Sequence, residues 1–389
     1  MKKISIMTAA VFALLMLCVS CVKSDDPVLS REAAVTKLLK KKHRIKIAVA
    51  GSWAQKRNLL MEGLELARDE INESGGVLGA QIELVPYDDN YNLNSGGKAA
   101  YEIASDNQIC AVIGHTASAI SVSNSLIYHY YGLLMFSPLS TDCQLMEQGL
   151  PYVFRNIPNN HELGEAAVEF CEKSSWKRMM IYYLNNTYGE NLANAFELKC
   201  SDNDIVVPER ESYESVDGVR DYIAIARSWK QRYQFDAIFI AGTMPQVAEI
   251  VSIFRRNGIT EPIIGGDTLD MPSFFDIDEN WKEDAVYCVS NFDSESQNKA
   301  FRRFSEAFRK RYGYAADQGA LQGYDALKVL AGAIARAKSV KSSDIARALR
   351  EKSEWNEGAG PYRFNATGDI EDRRLTIKKT TDGMFRRVD

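Results

Sequence analysis

From residue 45 onward the chain alternates short apolar runs with amphipathic stretches, and this alternation narrows the possible folds more than any other feature. "IKIAVA" (45–50) has the length and apolar character of a buried strand. "LLMEGLELARDEINES" (59–74) carries apolar residues at helical spacing and stops at Gly75-Gly76. "QIELVPYDD", "CAVIGH" and "LLMFS" read as further strands, separated by the helix-patterned "SGGKAAYEIAS" and "SAISVSNSLIYHYYG". A βαβαβα order implies a parallel sheet with helices on both faces. The pattern restarts after "YVFRNIPNN", with strands "RMMIYYLN", "IVVPERESY", "DAIFIAG" and "PIIGGD" between helices. "AVYCVS", two long helices and a β-like tail follow, with Asp382-Gly383 as a hairpin turn.

The expected fold is therefore α/β: two doubly wound parallel-sheet lobes joined by several hinge crossovers. We assign 45–155 plus 291–355 to lobe 1 and 156–290 plus 356–389 to lobe 2, because helices that return after a second lobe require more than one crossing.

The N-terminus carries a different signal. "MKK", the apolar "ISIMTAAVFALLML" and "CVSC" predict an export signal over 1–20, too short for a spanning helix. Its ending resembles a bacterial lipoprotein signal, which would make Cys21 the lipidated mature N-terminus; Cys18 stands where a Leu is usual. Residues 21–44, with paired Asp and the basic run Lys40 to Arg44, read as a charged tether. Five further cysteines, Cys110, Cys143, Cys171, Cys200 and Cys288, show no CxxC spacing, so no metal is expected; the sequence does not choose disulfide pairs.

In open parallel sheets, ligands bind beyond the carboxyl ends of the strands, where loops enter helix N-termini. The residues there are Ser118 after "CAVIGH", Leu139 and Thr141 after "LLMFS", Tyr188 after "MIYYLNN", Thr243 after "IFIAG" and Asp267 after "PIIGG". Hydroxyl donors fall mainly in the first lobe and the carboxylate in the second, a distribution suited to a small zwitterion. Taken singly, each Ser or Thr also fits a helix cap, and Asp267 a turn.

Four histidines, His43, His115, His129 and His161, stand in no Ser-His-Asp or metal-ligand order, and no phosphate-binding glycine loop is present. No enzyme, cofactor or metal is expected. A net charge of −5 over 389 residues argues against nucleic acid as a partner.

"INESGGVLGAQIELVPYDDNYN", "VIGHTASAISVSN", "FSPLSTDCQL", "PYVFRNIP", "YYLNNTYGENLANAF", "IIGGDTLDMPSFF", "QGYDALKVLAGAIARA" and "GAGPYRFNATGDI" follow one another in order. The series, over roughly 45–389, resembles the branched-chain amino-acid-binding type of periplasmic binding protein, the substrate receptor of ABC importers (type I fold). The resemblance implies a bilobed receptor that closes on a hinge over an amino acid or a related small carboxylate or amide and hands it to permease subunits in the membrane. It implies that Ser118 and Thr141 grip an α-carboxylate, that the Leu139 carbonyl and Asp267 take the ammonium, and that Tyr188 closes from the second lobe. The loop after the first strand, "GSWAQKRNLLMEG", is shorter than the family's and puts Leu/Ile/Val specificity in doubt. Trp53 there either walls the pocket or covers the core edge. The alternative function is a ligand-sensing or envelope-enzyme-regulating lipoprotein of the same fold without transport.

Overall fold

The computed structural model describes residues 26–53, 58–276, 284–351 and 354–388. Lobe 1 is built on five parallel strands, β1 (Arg44–Gly51), β2 (Gln81–Asp88), β3 (Ile109–Ile113), β4 (Leu134–Ser137) and β5 (Val153–Arg155), in the order β2-β1-β3-β4-β5. Strands β3, β4 and β5 are buried along their whole length, Ser137 and Arg155 included, as a sheet covered on both faces requires. The covering helices are α1 (Pro27–Lys42), α2 (Leu60–Glu73), α3 (Leu93–Ser105), α4 (Ser118–Tyr130) and the one-turn α5 (Gln144–Glu147).

Lobe 2 repeats the winding. Its strands β6 (Met179–Leu184), β7 (Arg210–Tyr213), β8 (Ala237–Ala241), β9 (Ile263–Gly265) and β10 (Val286–Ser290) run parallel in the order β7-β6-β8-β9-β10. Helix α6 (Asn160–Lys173) leads into β6, and α7 (Thr187–Asp202), α8 (Val219–Arg232) and α9 (Gln246–Arg256) connect the first four strands. In each lobe the strand order reverses beside its first strand, and that switch point opens a crevice at the strands' carboxyl ends.

The chain crosses between lobes at 156–159, 291–298 and 372–375. After the second crossing, α10 (Lys299–Tyr312), α11 (Gln318–Ala337) and α12 (Ser342–Glu351) return to lobe 1, followed by the small antiparallel sheet of β11 (Trp355–Glu357), β12 (Gly360–Phe364) and β13 (Ile370–Glu371). After the third, β14 (Thr376–Thr381) and β15 (Met384–Arg387) extend the lobe 2 sheet as antiparallel edge strands. Asp382 (φ 52°) and Gly383 (φ 73°) form their two-residue turn, the left-handed pair that a tight hairpin needs.

Two expectations require correction. Residues 356–371 belong with lobe 1, because alternate residues of β12 face inward. Tyr362 and Phe364 are buried there, and the Phe364 ring meets Phe136 and Phe154 edge-on at 5.7 and 5.4 Å. The segment read as a tether is, from Pro27 on, the docked helix α1. Asp26 caps it, Val35 and Leu38 enter the core, and Arg31 is only 2% exposed. The Arg31 guanidinium donates to the carbonyls of Ala104 and Asp106 at the end of α3 and of Tyr131 at the end of α4, where helix C-termini gather negative partial charge, and to that of Ile109 at the start of β3. Its polar neighbours made the helix look like spacer.

All five described cysteines are buried free thiols. Among the described residues no helix is long and apolar enough to cross a membrane.

Helix α11 packs along α2 at backbone contact. A Cβ on Gly63 would lie 1.9 Å from the Ala320 carbonyl oxygen, and one on Gly323 would lie 2.6 Å from that of Leu60. Gly63→Ala is therefore expected to destabilise the protein by about 1–3 kcal/mol, seen as a lowered midpoint in denaturant; an unchanged midpoint would contradict the close approach.

Within α11 the fully buried Asp325 accepts the N–H groups of Gly358 and Ala359, both at 2.8 Å, and so holds the turn before β12. Burial raises its carboxyl to about 7, with nearby Arg373 opposing the rise and Glu357 adding to it. Unfolded, the same group titrates near about 3.9. Between these values only the folded state holds the proton, so this group's contribution to stability falls as pH rises from about 4 to 7. The stability of wild type relative to Asp325→Asn should decline across that window and level off above it. A flat difference in thermal midpoint would remove the raised carboxyl.

Candidate functional site

A cleft of about 330 Å³ lies between the lobes, at the carboxyl ends of both sheets. Its lobe 1 wall comes from the strand-end loops, through Tyr91, Thr116 and Leu139, and from Asn58 and the start of α11. Its lobe 2 wall comes from Thr243, Met244 and Pro245 after β8, and from Asp267 to Ser273 after β9.

The loop after β3 can turn there because Gly114, at φ 141°, lets its backbone pass against Ala50; a Cβ would lie 2.2 Å from that residue's carbonyl oxygen. His115 faces away from the cleft. It is fully buried, with Nδ1 2.8 Å from Asp89 Oδ2 and Nε2 2.8 Å from the Tyr128 hydroxyl, so it serves a polar network that anchors the loop. The loop after β4 is joined to this one: the Ser121 and Ser140 hydroxyls share a 2.5 Å hydrogen bond, and the one that accepts in it donates its own proton to the His115 carbonyl, 3.1 Å from Ser121 Oγ and 3.4 Å from Ser140 Oγ. The two loops therefore form one unit.

Ser118 sits in the first turn of α4 and is buried. Thr141 is 1% exposed, and its hydroxyl has no hydrogen-bond partner among the described residues. A buried hydroxyl without a partner costs about 1–3 kcal/mol, a penalty that a ligand oxygen would relieve. The Thr141 carbonyl accepts the N–H of Asn160 at 2.9 Å, which ties this loop to the first helix of lobe 2.

On the other wall Asp267 opens a single 3-10 turn after β9 and is 5% exposed. It accepts the Tyr188 hydroxyl at 3.0 Å and, across the cleft, the Gln318 side-chain N–H at 3.2 Å. Burial raises its carboxyl, while those two hydrogen bonds pull it back down. Back on the lobe 1 wall, Asp317 caps α11, accepting N–H groups from Ala320 at 2.7 Å and Leu59 at 3.1 Å, and burial lifts it to about 6. Asp270, in lobe 2, is neutralised by Lys378 at 2.6 Å and accepts the Ser290 hydroxyl at 2.5 Å. The lobe 2 floor is thus rich in carboxylate oxygen, with one cation already paired to Asp270.

Of the residues expected from sequence, Leu139, Thr243 and Asp267 line the cleft, and Ser118 and Thr141 are buried in the joined loops beside it. Tyr188 does not cover the cleft. It lies behind Asp267, held by that carboxylate, and its oxygen would be 2.6 Å from a Cβ on Gly266. Trp53 takes the core-edge position: its indole N–H donates to the Tyr87 carbonyl at 2.9 Å, and its ring borders a separate cavity with Met61 and Tyr312. Lys56 and Arg57 of the shortened loop, and Cys21, lie outside the described residues.

Sequence reasoning missed Asn58, Tyr91, Asp317 and Gln318. The last two follow no strand, so a search of strand ends passes over them; the cap-like Asp317 before a long apolar helix was the available signal. Tyr91, like Asn90, adopts a positive φ in the loop after β2, visible beforehand only as "DDNYN".

Residues 49–378 match the family model described as "Periplasmic binding protein". The Leu/Ile/Val-binding protein BraC3 of Rhizobium johnstonii is 25% identical over 339 residues, 87% of this chain and 90% of that protein. An ABC transporter substrate-binding protein from Desulfitobacterium hafniense, solved in complex with Leu, superposes with a TM-score of 0.79 at 34% identity, covering 89% of this chain and all of that one. A solute-binding protein from R. palustris in complex with benzoate, 17% identical, shares the fold with a TM-score of 0.79 over 89% of this chain and 95% of that one.

Proposed function

The chain belongs to the periplasmic binding protein family, as a substrate-binding, non-enzymatic and extracytoplasmic component of ABC transport, and from that premise we propose that it captures a small α-amino acid in the interlobe cleft. The observation that carries this reading is the opposition of unlike groups. Lobe 1 offers the unpartnered Thr141 hydroxyl and the start of α4, and lobe 2 offers the buried Asp267 carboxylate. A ligand carboxylate suits the first, since helix N-termini and hydroxyls stabilise anions. An ammonium suits the second, because a cation beside Asp267 offsets the cost of burying its charge. Leu139 lies on the cleft wall, and we assign its carbonyl as a further acceptor for the ammonium.

Leu139, Met244 and Met271 supply apolar wall for a side chain of modest size, in keeping with the leucine held by the Desulfitobacterium protein. Thr243 takes a wall position from lobe 2. Tyr188 acts through Asp267, holding its carboxylate in place, and Gln318 reaches the same carboxylate from lobe 1. Closure and ligand capture are linked through that shared group: a ligand that binds the closed form better shifts the population toward it.

L-leucine and L-isoleucine should bind with a calorimetric heat and raise the thermal midpoint. Thr141→Ala and Asp267→Asn should each weaken the better of the two by roughly tenfold to a hundredfold, since one charge-assisted hydrogen bond is worth about 1.5–3 kcal/mol. Unchanged affinity in both variants would move the site elsewhere.

Delivery to permease subunits, and a lipid on Cys21 that keeps the receptor at the membrane surface, complete the proposal. With α1 docked on lobe 1, any tether shortens to the residues before Asp26. Expressed in a bacterial host, the protein should fractionate with membranes and incorporate labelled palmitate, and Cys21→Ser should abolish both. A Cys21→Ser protein that stays membrane-bound would refute the anchor.

A further inference from the structure

Arg155, the last residue of β5, is fully buried and uses its guanidinium on two sides. Toward the 360–371 hairpin it makes a two-pronged pair with Asp369, Nε to Oδ1 at 2.9 Å and Nη2 to Oδ2 at 2.5 Å. Toward the loop after β4, Nη1 donates to the carbonyls of Ser140 (3.2 Å) and Asp142 (2.7 Å), the residues on either side of Thr141.

Planar trans peptides turn a hold on those carbonyls into a direction for the next N–H groups, because each N–H points opposite the carbonyl it follows. With the Ser140 carbonyl drawn toward Arg155, the Thr141 N–H points away from it, and that N–H donates to no group among the described residues. With the Asp142 carbonyl likewise held, the Cys143 N–H points outward and meets Asn191 Oδ1, on α7 of lobe 2, at 3.3 Å. Asp369 also reaches the first crossover, accepting the Asn159 side-chain N–H at 3.2 Å; Asn159 caps α6. The hairpin turn comes close enough because Gly368, at φ 93°, has no Cβ to strike the Val153 carbonyl oxygen, which would be 2.2 Å away.

We propose that Arg155 is a positioning residue for ligand binding, held by Asp369, and that its grip on the Ser140 and Asp142 carbonyls aims the Thr141 donors at the ligand and the Cys143 N–H at lobe 2. The proposal rests on the site reading given above. Lysine cannot replace it, since one ammonium cannot serve a carboxylate fork and two carbonyls from fixed directions.

The test combines calorimetry with L-leucine and hydrogen exchange on the ligand-free protein, for Arg155→Lys, Asp369→Asn, Thr141→Ala and the Arg155→Lys/Thr141→Ala double variant. Arg155→Lys is expected to weaken leucine about tenfold to a hundredfold. The double variant should lose clearly less than the product of the two single losses, because Arg155→Lys misaims the hydroxyl that Thr141→Ala removes. In the free protein the Asn160 amide, held by the Thr141 carbonyl, should exchange at least tenfold faster in Arg155→Lys, with β8 amides unchanged.

Independent, multiplying losses in the double variant, or an Asn160 amide as protected as in wild type, would overturn the positioning role. Should Thr141→Ala leave leucine affinity intact, or leucine bind no variant, the site reading fails, and the exchange result still decides what Arg155 does to the loop. If Arg155→Lys does not fold, as slackened β8 protection would reveal, Asp369→Asn carries the same comparisons.

Discussion

The backbone contact between α2 and α11 decides much of what this molecule can be. Gly63 and Gly323 remove the side chains that would hold the two helices apart, so a helix made after the parallel strands of lobe 2 lies flush against one made near the start of lobe 1. The chain has to leave lobe 1, build most of lobe 2 and return, so two of the three crossings follow from that contact, and the third carries β14 and β15 back to the lobe 2 sheet. The same contact brings the first residues of α11 to the cleft, where Asp317 and Gln318 enter a wall otherwise made of strand-end loops.

Electrostatics in the cleft are arranged as unequal opposites. Asp267 gives up water for two neutral hydrogen-bond donors, Tyr188 from its own lobe and Gln318 from the other, and burial still outweighs them. A carboxylate in that condition is receptive to a cation. Asp270, a few residues on, has its cation built in as Lys378 and so takes no part in that demand. Lobe 1 answers with donors and no cationic side chain among the described lining residues, so an incoming carboxylate would be held by hydroxyl, backbone N–H and helix terminus. Recognition of this kind is directional, and it depends on loops that are held still. The joined hydroxyls of Ser121 and Ser140 hold the lobe 1 loops in front, and the buried Arg155–Asp369 pair holds them from behind; removing one partner of such a pair costs about 3–5 kcal/mol.

Much of this was legible in the residues themselves. Unbroken apolar strands between amphipathic helices announce parallel sheets, Asp382-Gly383 announces its hairpin, and the hydroxyls and carboxylate placed just past strand ends mark the two walls that Leu139, Thr243 and Asp267 occupy. Less legible were the pieces whose role depends on a distant partner. Helix α1 reads as charged spacer until carbonyls at the ends of α3 and α4 and at the start of β3 give Arg31 four acceptors. Trp53 stood undecided until the Tyr87 carbonyl fixed its indole at the core edge, and Tyr188, expected over the ligand, is drawn behind Asp267.

By itself, then, the sequence determined the element types, their parallel winding in two lobes, and the chemistry available past each strand, because those follow from side-chain periodicity and local turn residues. Only the tertiary structure decided that 356–371 packs with lobe 1, that the start of α11 enters the cleft wall, and that Arg155 grips the loop carrying Thr141. Those outcomes depend on contacts between residues up to two hundred and more positions apart, as with Arg155 and Asp369, where no local pattern records which partner will be met.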